Sequence, residues 1–299
     1  MVDTQDPMSK IFDNGAAAYE ASTGGCTRDL TRHMLALSPP ISSSSVVHDN
    51  ACGTGIVTQE IITQSILSQS PSDFTCSLAI HCTDKSENMI QLARSWFERS
   101  RAAIKEQTAL SGMEIGFEAV PSEQLRFEDG YFTHSFTNCG ILWFDDGLTG
   151  AREILRTLRS GGTAVISSWK GMTIFDVVRE AQKACGHQEP LFRPPVDEKW
   201  FTAEFLEKIL REAGFIDVQI FDKTVHFAGN DVAEVCAYLL GLLKQLKKEW
   251  DGDEGIEFRK QLEIAVRKAV VRFSRPDTGG KENLIGIPMV ALVAVARKQ

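Results

Sequence analysis

The chain has 299 residues, 43% hydrophobic and 24% charged, which supplies ample apolar mass for a core and permits one large α/β domain with an insertion. Its 32 basic and 40 acidic residues give a net charge of −8, and the absence of a strongly clustered basic face argues against a nucleic-acid partner. Seven cysteines without CxxC spacing suggest neither a zinc site nor a disulfide framework. The first residues lack the basic-then-apolar order of a signal peptide, and the longest apolar run, GIPMVALVAVA from Gly286, falls far short of the ~20 residues of a membrane helix. The expectation is a soluble, cytoplasmic chain without a membrane partner.

In chain order, residues 11–37 read as helix interrupted at the TGG of 23–25, and the Pro- and Ser-rich stretch 38–45 reads as a linker. A strand at 46–49 precedes a helix marked by Ile56, Val57, Ile61, Ile62 and Ile66. After a serine-rich loop, SLAIHCTD (77–84) is the next strand, and Ser86 caps a helix carrying Met89, Ile90, Ala93, Trp96 and Phe97. Strands follow at 115–120 and 131–137, then a helix at 148–159 that the glycine pair 161–162 terminates. The sequence further predicts a strand at 163–169, a loop-rich connection over 170–200, a helix at 202–213, a strand from Phe215 and a last strand at 289–296. Two amphipathic helices between the last two strands form a cap. Strands alternating with helices give a parallel sheet covered on both faces. The domains expected are an N-terminal helical lid (1–45), a core (46–225 and 286–299) and a cap insertion (226–285).

In such a sheet, ligands bind beyond the carboxyl ends of the strands, where strand order reverses. The loop after the first strand is DNACGTG, Asp49 to Gly55. It lacks the lysine of a Walker loop, and its glycines fall later than a dinucleotide fingerprint requires. An acid at this mouth repels a pyrophosphate and attracts a cation, and the common cationic adenosine cofactor without phosphate is S-adenosylmethionine. A nicotinamide-dependent reductase would show a Tyr-x-x-x-Lys pair, which the sequence lacks.

These residues resemble motif I of the class I S-adenosylmethionine-dependent methyltransferases, commonly D-x-G-x-G-x-G, with Ala51 in place of the first glycine. CTDKSENMIQLAR (82–94) is similar to the family's second-strand acid and following helix. The resemblance implies that Asp84 accepts from the ribose hydroxyls, with Lys85 and Met89 near the adenosine. VPSEQLRFEDGYFTHSFTNCGILWF (120–144) resembles the next family segment and implies Ser122 and Glu123 beside the adenine. Pro121 and Thr133 stand where the family commonly has Asp. The nearest likeness is the small-molecule branch related to the ubiquinone-biosynthesis methyltransferases, whose fungal secondary-metabolite members share an opening like YEASTGGCTRDL. The implied fold is α/β, a doubly wound, mostly parallel, seven-stranded Rossmann-like methyltransferase sheet with N-terminal helices and a helical cap inserted before the last strand.

The cofactor-binding set is therefore Tyr19, Asp49, Ala51, Gly53, Gly55, Asp84, Lys85, Met89, Ser122, Glu123 and Asn138. Ile141, Trp143 and Trp169 are candidates to line an apolar acceptor pocket. Cys52 and Cys139 read as small buried thiols, and His187 or His226 as possible bases. No catalytic residue or metal ligand is assigned. The acceptor expected is a small secondary metabolite, with a thiol of a gliotoxin-like dithiol favoured, O-methylation of a polyketide or quinone second, and a cofactor-binding protein without transferase activity a third possibility. The protein acts as a monomer or homodimer on this reading.

Overall fold

The computed structural model describes residues 22–67, 77–106, 112–246, 255–275 and 283–299. Tyr19 and the first half of the N-terminal helical pattern lie outside them. Helix α1 (Cys26–Leu37) precedes β1 (Val46–Asn50), α2 (Ile56–Leu67), β2 (Ala79–Asp84), α3 (Glu87–Glu106), β3 (Glu114–Ala119) and β4 (Phe132–Thr137). A 3-10 turn (Ile141–Trp143) leads to α4 (Gly147–Thr157), β5 (Leu158–Trp169) and α5 (Thr173–Ala184). A second 3-10 turn (Glu198–Phe201) precedes α6 (Ala203–Ala213), β6 (Ile216–Gly229), α7 (Val232–Leu246), α8 (Gly255–Ala269), β7 (Val271–Phe273) and β8 (Leu284–Arg297).

Seven strands form one path in the order β3-β2-β1-β4-β5-β8-β6, and the short β7 pairs with β8. β1 runs parallel to both β2 and β4, whereas β8 is antiparallel to β5 and β6. The chain thus moves outward from β1 in one direction and from β4 in the other, so their carboxyl ends flank the crevice where ligands bind. β4 is buried along its whole length, as a strand covered on both faces must be.

Two local expectations are corrected. The stretch read as a loop-rich connection contains α5, whose Ile174, Phe175, Val177, Val178 and Ala181 are buried. Its run of β-branched and aromatic residues disguised the helical period, and packing against α8 supplies the stability that propensity withholds. The glycine pair does not end α4 either. That helix stops at Thr157, with Leu158 already extended, and Gly161 adopts a left-handed φ of 74° inside β5, where the register against β4 jumps.

Helix α1 is fastened to α2 by one buried carboxylate. Glu60 accepts from Arg28 at 2.7 Å and from Arg32 at 2.8 Å, while Arg28 also donates to Gln59 at 2.7 Å. Burial pushes the Glu60 carboxyl up, but the hydrogen bonds from Arg32 and Arg28 outweigh it and hold the carboxyl below its usual range. A depressed carboxyl stabilises the fold above its unfolded value, about 4.3 for glutamate, and loses that contribution as pH falls through the lowered folded value. Wild type should therefore unfold at higher urea than Glu60→Gln at neutral pH, and the gap between the two midpoints should narrow as the solution is acidified below about pH 4.

Candidate active site

The loop leaving β1 carries three left-handed residues, Ala51 at φ 50°, Gly53 at 54° and Gly55 at 82°. Glycine accepts that backbone at no steric cost, whereas Ala51 is strained by about 1 kcal/mol. Gly55 also answers a packing demand, since a Cβ there would lie 3.2 Å from the Cβ of Ala93 on α3. Two groups from the end of β2 hold the loop down. Cys52 N–H donates to the Thr83 carbonyl at 2.9 Å, and Gly53 N–H donates to Asp84 Oδ2 at 2.9 Å. The other Asp84 oxygen accepts from Ser86 N–H at 2.9 Å, and Ser86 Oγ accepts from Met89 N–H, capping α3.

Asp49 sits below this loop rather than at the open lip. It is 1% exposed, and its Oδ2 accepts from both the backbone N–H (3.0 Å) and the hydroxyl (2.7 Å) of Thr58 on α2. Its Oδ1 is buried and has no hydrogen-bond partner among the described residues. Burial raises the Asp49 carboxyl to about 7; the Thr58 hydrogen bonds oppose the rise and the nearby Asp84 charge adds to it.

The crevice above the loop encloses about 570 Å³ of non-atom space, part of it open solvent. It gathers Ala51, Gly53, Asp84, Lys85, Met89, Ser122, Glu123, Asn138 and Trp143, with Cys139, Gly140 and Phe144 completing the wall. Asp49, Gly55, Ile141 and Trp169 do not line it. Behind it, Asn50 is fully buried and binds the strand ends together: its Oδ1 accepts from Ser122 at 2.9 Å and Thr83 at 3.3 Å, and its Nδ2 donates to Thr137 at 3.1 Å. Lys85 pairs with Asp145 at 3.1 Å, and Glu123 Oε1 accepts from the Asp146 N–H at 3.2 Å. Sequence reasoning missed Asn50; the available signal was an amide directly after the acid at the end of the first strand.

A second cavity adjoins the first and shares Cys139 and Trp143 with it. Trp169, Met172, Phe175, Phe227 and Met289 give it an apolar, sulfur-rich wall, α1 roofs it through Cys26 and Thr27, and α7 contributes Leu242 and Leu246. Ile141 lines neither cavity and is fully buried in the core. The floor between the two is set by β4 and β5. Asn138 Nδ2 donates to the Thr27 carbonyl at 2.9 Å and to Thr31 Oγ1 at 2.8 Å, while its Oδ1 accepts from Ser167. Both Asn138 donors therefore hold α1 in place. Cys139 is left-handed at φ 53°, its N–H donating to Ser167 Oγ at 2.8 Å. Burial pushes the Cys139 thiol up to about 12, opposed by the Ser167 hydrogen bond, and burial likewise raises the Cys26 thiol. Neither is a nucleophile at neutral pH. His226 stacks on Phe273, 4.1 Å between ring centroids, and lines neither cavity, nor does the exposed His187.

A methyltransferase-domain family model matches residues 48–166. The methyltransferase tpcH of Aspergillus fumigatus is 24% identical over 97% of this chain and 99% of its own length. The acetylaranotin bis-thiomethyltransferase of Aspergillus terreus is 22% identical over 97% of this chain and 96% of its own. A ubiquinone/menaquinone biosynthesis C-methyltransferase of Geobacter sp. is 30% identical over 62% of this chain and 76% of its own length.

The buried Asp49 gives the loop a signature in pH. A carboxyl raised to about 7 contributes stability that is complete below the unfolded value, about 3.9, and is lost as pH rises through the folded value. Asp49→Asn keeps an oxygen for Thr58 but does not ionise. Urea unfolding should show the balance between variant and wild type shifting toward the variant between about pH 4 and pH 7.

Proposed function

This chain belongs to the class I S-adenosylmethionine-dependent methyltransferases, and on that premise we propose that its acceptor is a thiol of a small, largely apolar secondary metabolite held in the cavity beneath α1. When bound, S-adenosylmethionine supplies a methyl group already activated on a sulfonium sulfur, so transfer is an in-line displacement by the acceptor. The residues of the first cleft suit it. Asp84, its carboxylate oriented by two backbone N–H groups, is assigned to the ribose hydroxyls, with Met89, Ser122 and Glu123 around the base. Asp49, buried outside the cleft lining and bonded to Thr58, is assigned to supporting the glycine loop from beneath. Asn138, whose donors engage α1, is assigned to positioning the roof.

The observation that carries the acceptor reading is the lining of the second cavity. Among the described residues it offers no carboxylate, imidazole or amine, and its only titratable groups are Cys26 and Cys139, both held protonated. An acceptor bound there has to ionise by itself. A thiol with a pKa of about 8.5 does so near neutrality, whereas an alcohol needs a base. Met172, Met289 and the aromatic walls favour a polarisable sulfur partner. The relative named as a bis-thiomethyltransferase points the same way. We read residues 1–45 as a lid and 226–285 as a cap, supported by α1 and α7 both facing this cavity. O-methylation of a polyketide or quinone is the second reading, open to any phenolic hydroxyl acidic enough to ionise unaided.

Purified enzyme with S-adenosylmethionine should add methyl mass to benzyl mercaptan and dithiothreitol and leave catechol unchanged. The kcat/KM should climb with pH up to the acceptor's own thiol pKa, since the described lining of the cavity supplies no base. Ile174→Trp, which fills the second cavity, should remove turnover while calorimetry finds S-adenosylhomocysteine bound as before. Methylation of catechol with the thiols untouched would replace the thiol reading with the phenol one.

A further inference from the structure

The turn before α1 holds two consecutive left-handed glycines, Gly24 at φ 56° and Gly25 at φ 73°. Neither has room for a side chain. A Cβ on Gly24 would lie 2.5 Å from the backbone nitrogen of Ala228, and one on Gly25 would lie 2.7 Å from a guanidinium nitrogen of Arg275. Arg275 follows β7 and reaches back across the fold. Its Nε donates to Asp29 Oδ2 at 2.8 Å, and its NH2 donates to the carbonyls of Gly24 at 2.7 Å and His226 at 3.1 Å. One guanidinium thus joins α1, the turn before it and the end of β6.

Both sides of that junction carry lining of the apolar cavity. Ser22 and Thr23 precede Gly24, Cys26 and Thr27 follow Gly25, and Phe227 follows His226. Arg275 itself is not part of the lining. We propose that Arg275 is a positioning residue for the methyl acceptor: it latches the roof of the apolar cavity onto the wall formed by β6, and so sets the width of the acceptor site. The inference rests on reading that cavity as the acceptor site. The latch is shielded, with Arg275 and Asp29 side chains only 14% and 19% exposed, so its charge-assisted bonds are stronger than those of a surface pair. A lysine would lack the planar fork that meets a carboxylate and two carbonyls together.

The test compares Arg275→Ala, Arg275→Lys and Gly25→Ala with wild type, using benzyl mercaptan as acceptor. The latch predicts an acceptor KM raised about tenfold or more in Arg275→Ala, equivalent to about 1.4 kcal/mol, with S-adenosylhomocysteine affinity unchanged. Arg275→Lys should not restore the wild-type KM. Gly25→Ala, which displaces the guanidinium, should reproduce the loss, and the double variant should add little to either single change. Amide hydrogen exchange gives a readout independent of acceptor identity: residues 23–31 should exchange faster in Arg275→Ala. An acceptor KM and exchange pattern like wild type, accompanied only by a lower unfolding midpoint, would leave Arg275 a structural residue and overturn the proposal. Should Ile174→Trp leave turnover intact, the acceptor-site reading falls instead; should it abolish turnover while the Arg275 variants keep KM and exchange, the latch alone falls.

Discussion

The cleft is built around one carboxylate. Asp84 ends β2 and grips two backbone N–H groups from different segments, Gly53 of the loop after β1 and Ser86 at the start of α3. Hydrogen bonds to an ionised acceptor contribute roughly 1.5–3 kcal/mol each, enough to hold a loop whose left-handed residues would otherwise sample many shapes. The grip sets the height of Gly53 over the sheet and the direction of α3, and hence the position of Met89 on the cleft wall. Behind it, the buried amide of Asn50 repeats the device, joining strand ends that separate elements supply. Placement of the polar lining is thus a property of the sheet's carboxyl edge as a whole.

Polar and apolar compartments meet at the end of β4. Asn138 reaches up to α1, Ser167 on β5 supports both Asn138 and Cys139, and Trp143 follows in the 3-10 turn. The side chains of Asn138 and Ser167 and the Cys139 N–H all have partners, which is the condition for burying such groups without loss of stability. The strain at Cys139 and Ala51 is concentrated here as well, and Gly140 lies between them, with room for only a hydrogen because Ala51 Cβ would stand 2.7 Å from any added Cβ. A region so constrained presents one shape to its ligands.

Much of this was legible in the sequence, because the signals were local. Alternating strands and helices and the glycine loop follow from spacing within a few residues, the acid at the end of β2 and the residues around it were named through the family resemblance, and nine residues from these sources line one cleft. What was not legible depended on partners distant in the chain. The depth of Asp49 comes from Thr58 and the covering loop, and the engagement of Asn138 comes from Thr27 and Thr31, more than a hundred residues earlier. Helix α5 was hidden because its β-branched residues favour strands until α8 packs against them. The glycines at 161 and 162 looked like a helix terminator, yet they serve a register shift that only the neighbouring strand reveals.

Trp143 and Cys139 belong to both cavities, and that sharing constrains how such a protein diverges. A party wall cannot be moved for one tenant alone. Under the proposed assignment of the two cavities, shaving the indole to admit a bulkier acceptor would also loosen the nucleoside's seat, so new specificities should arise first on the far walls supplied by α5 and α7, where side chains answer to a single compartment.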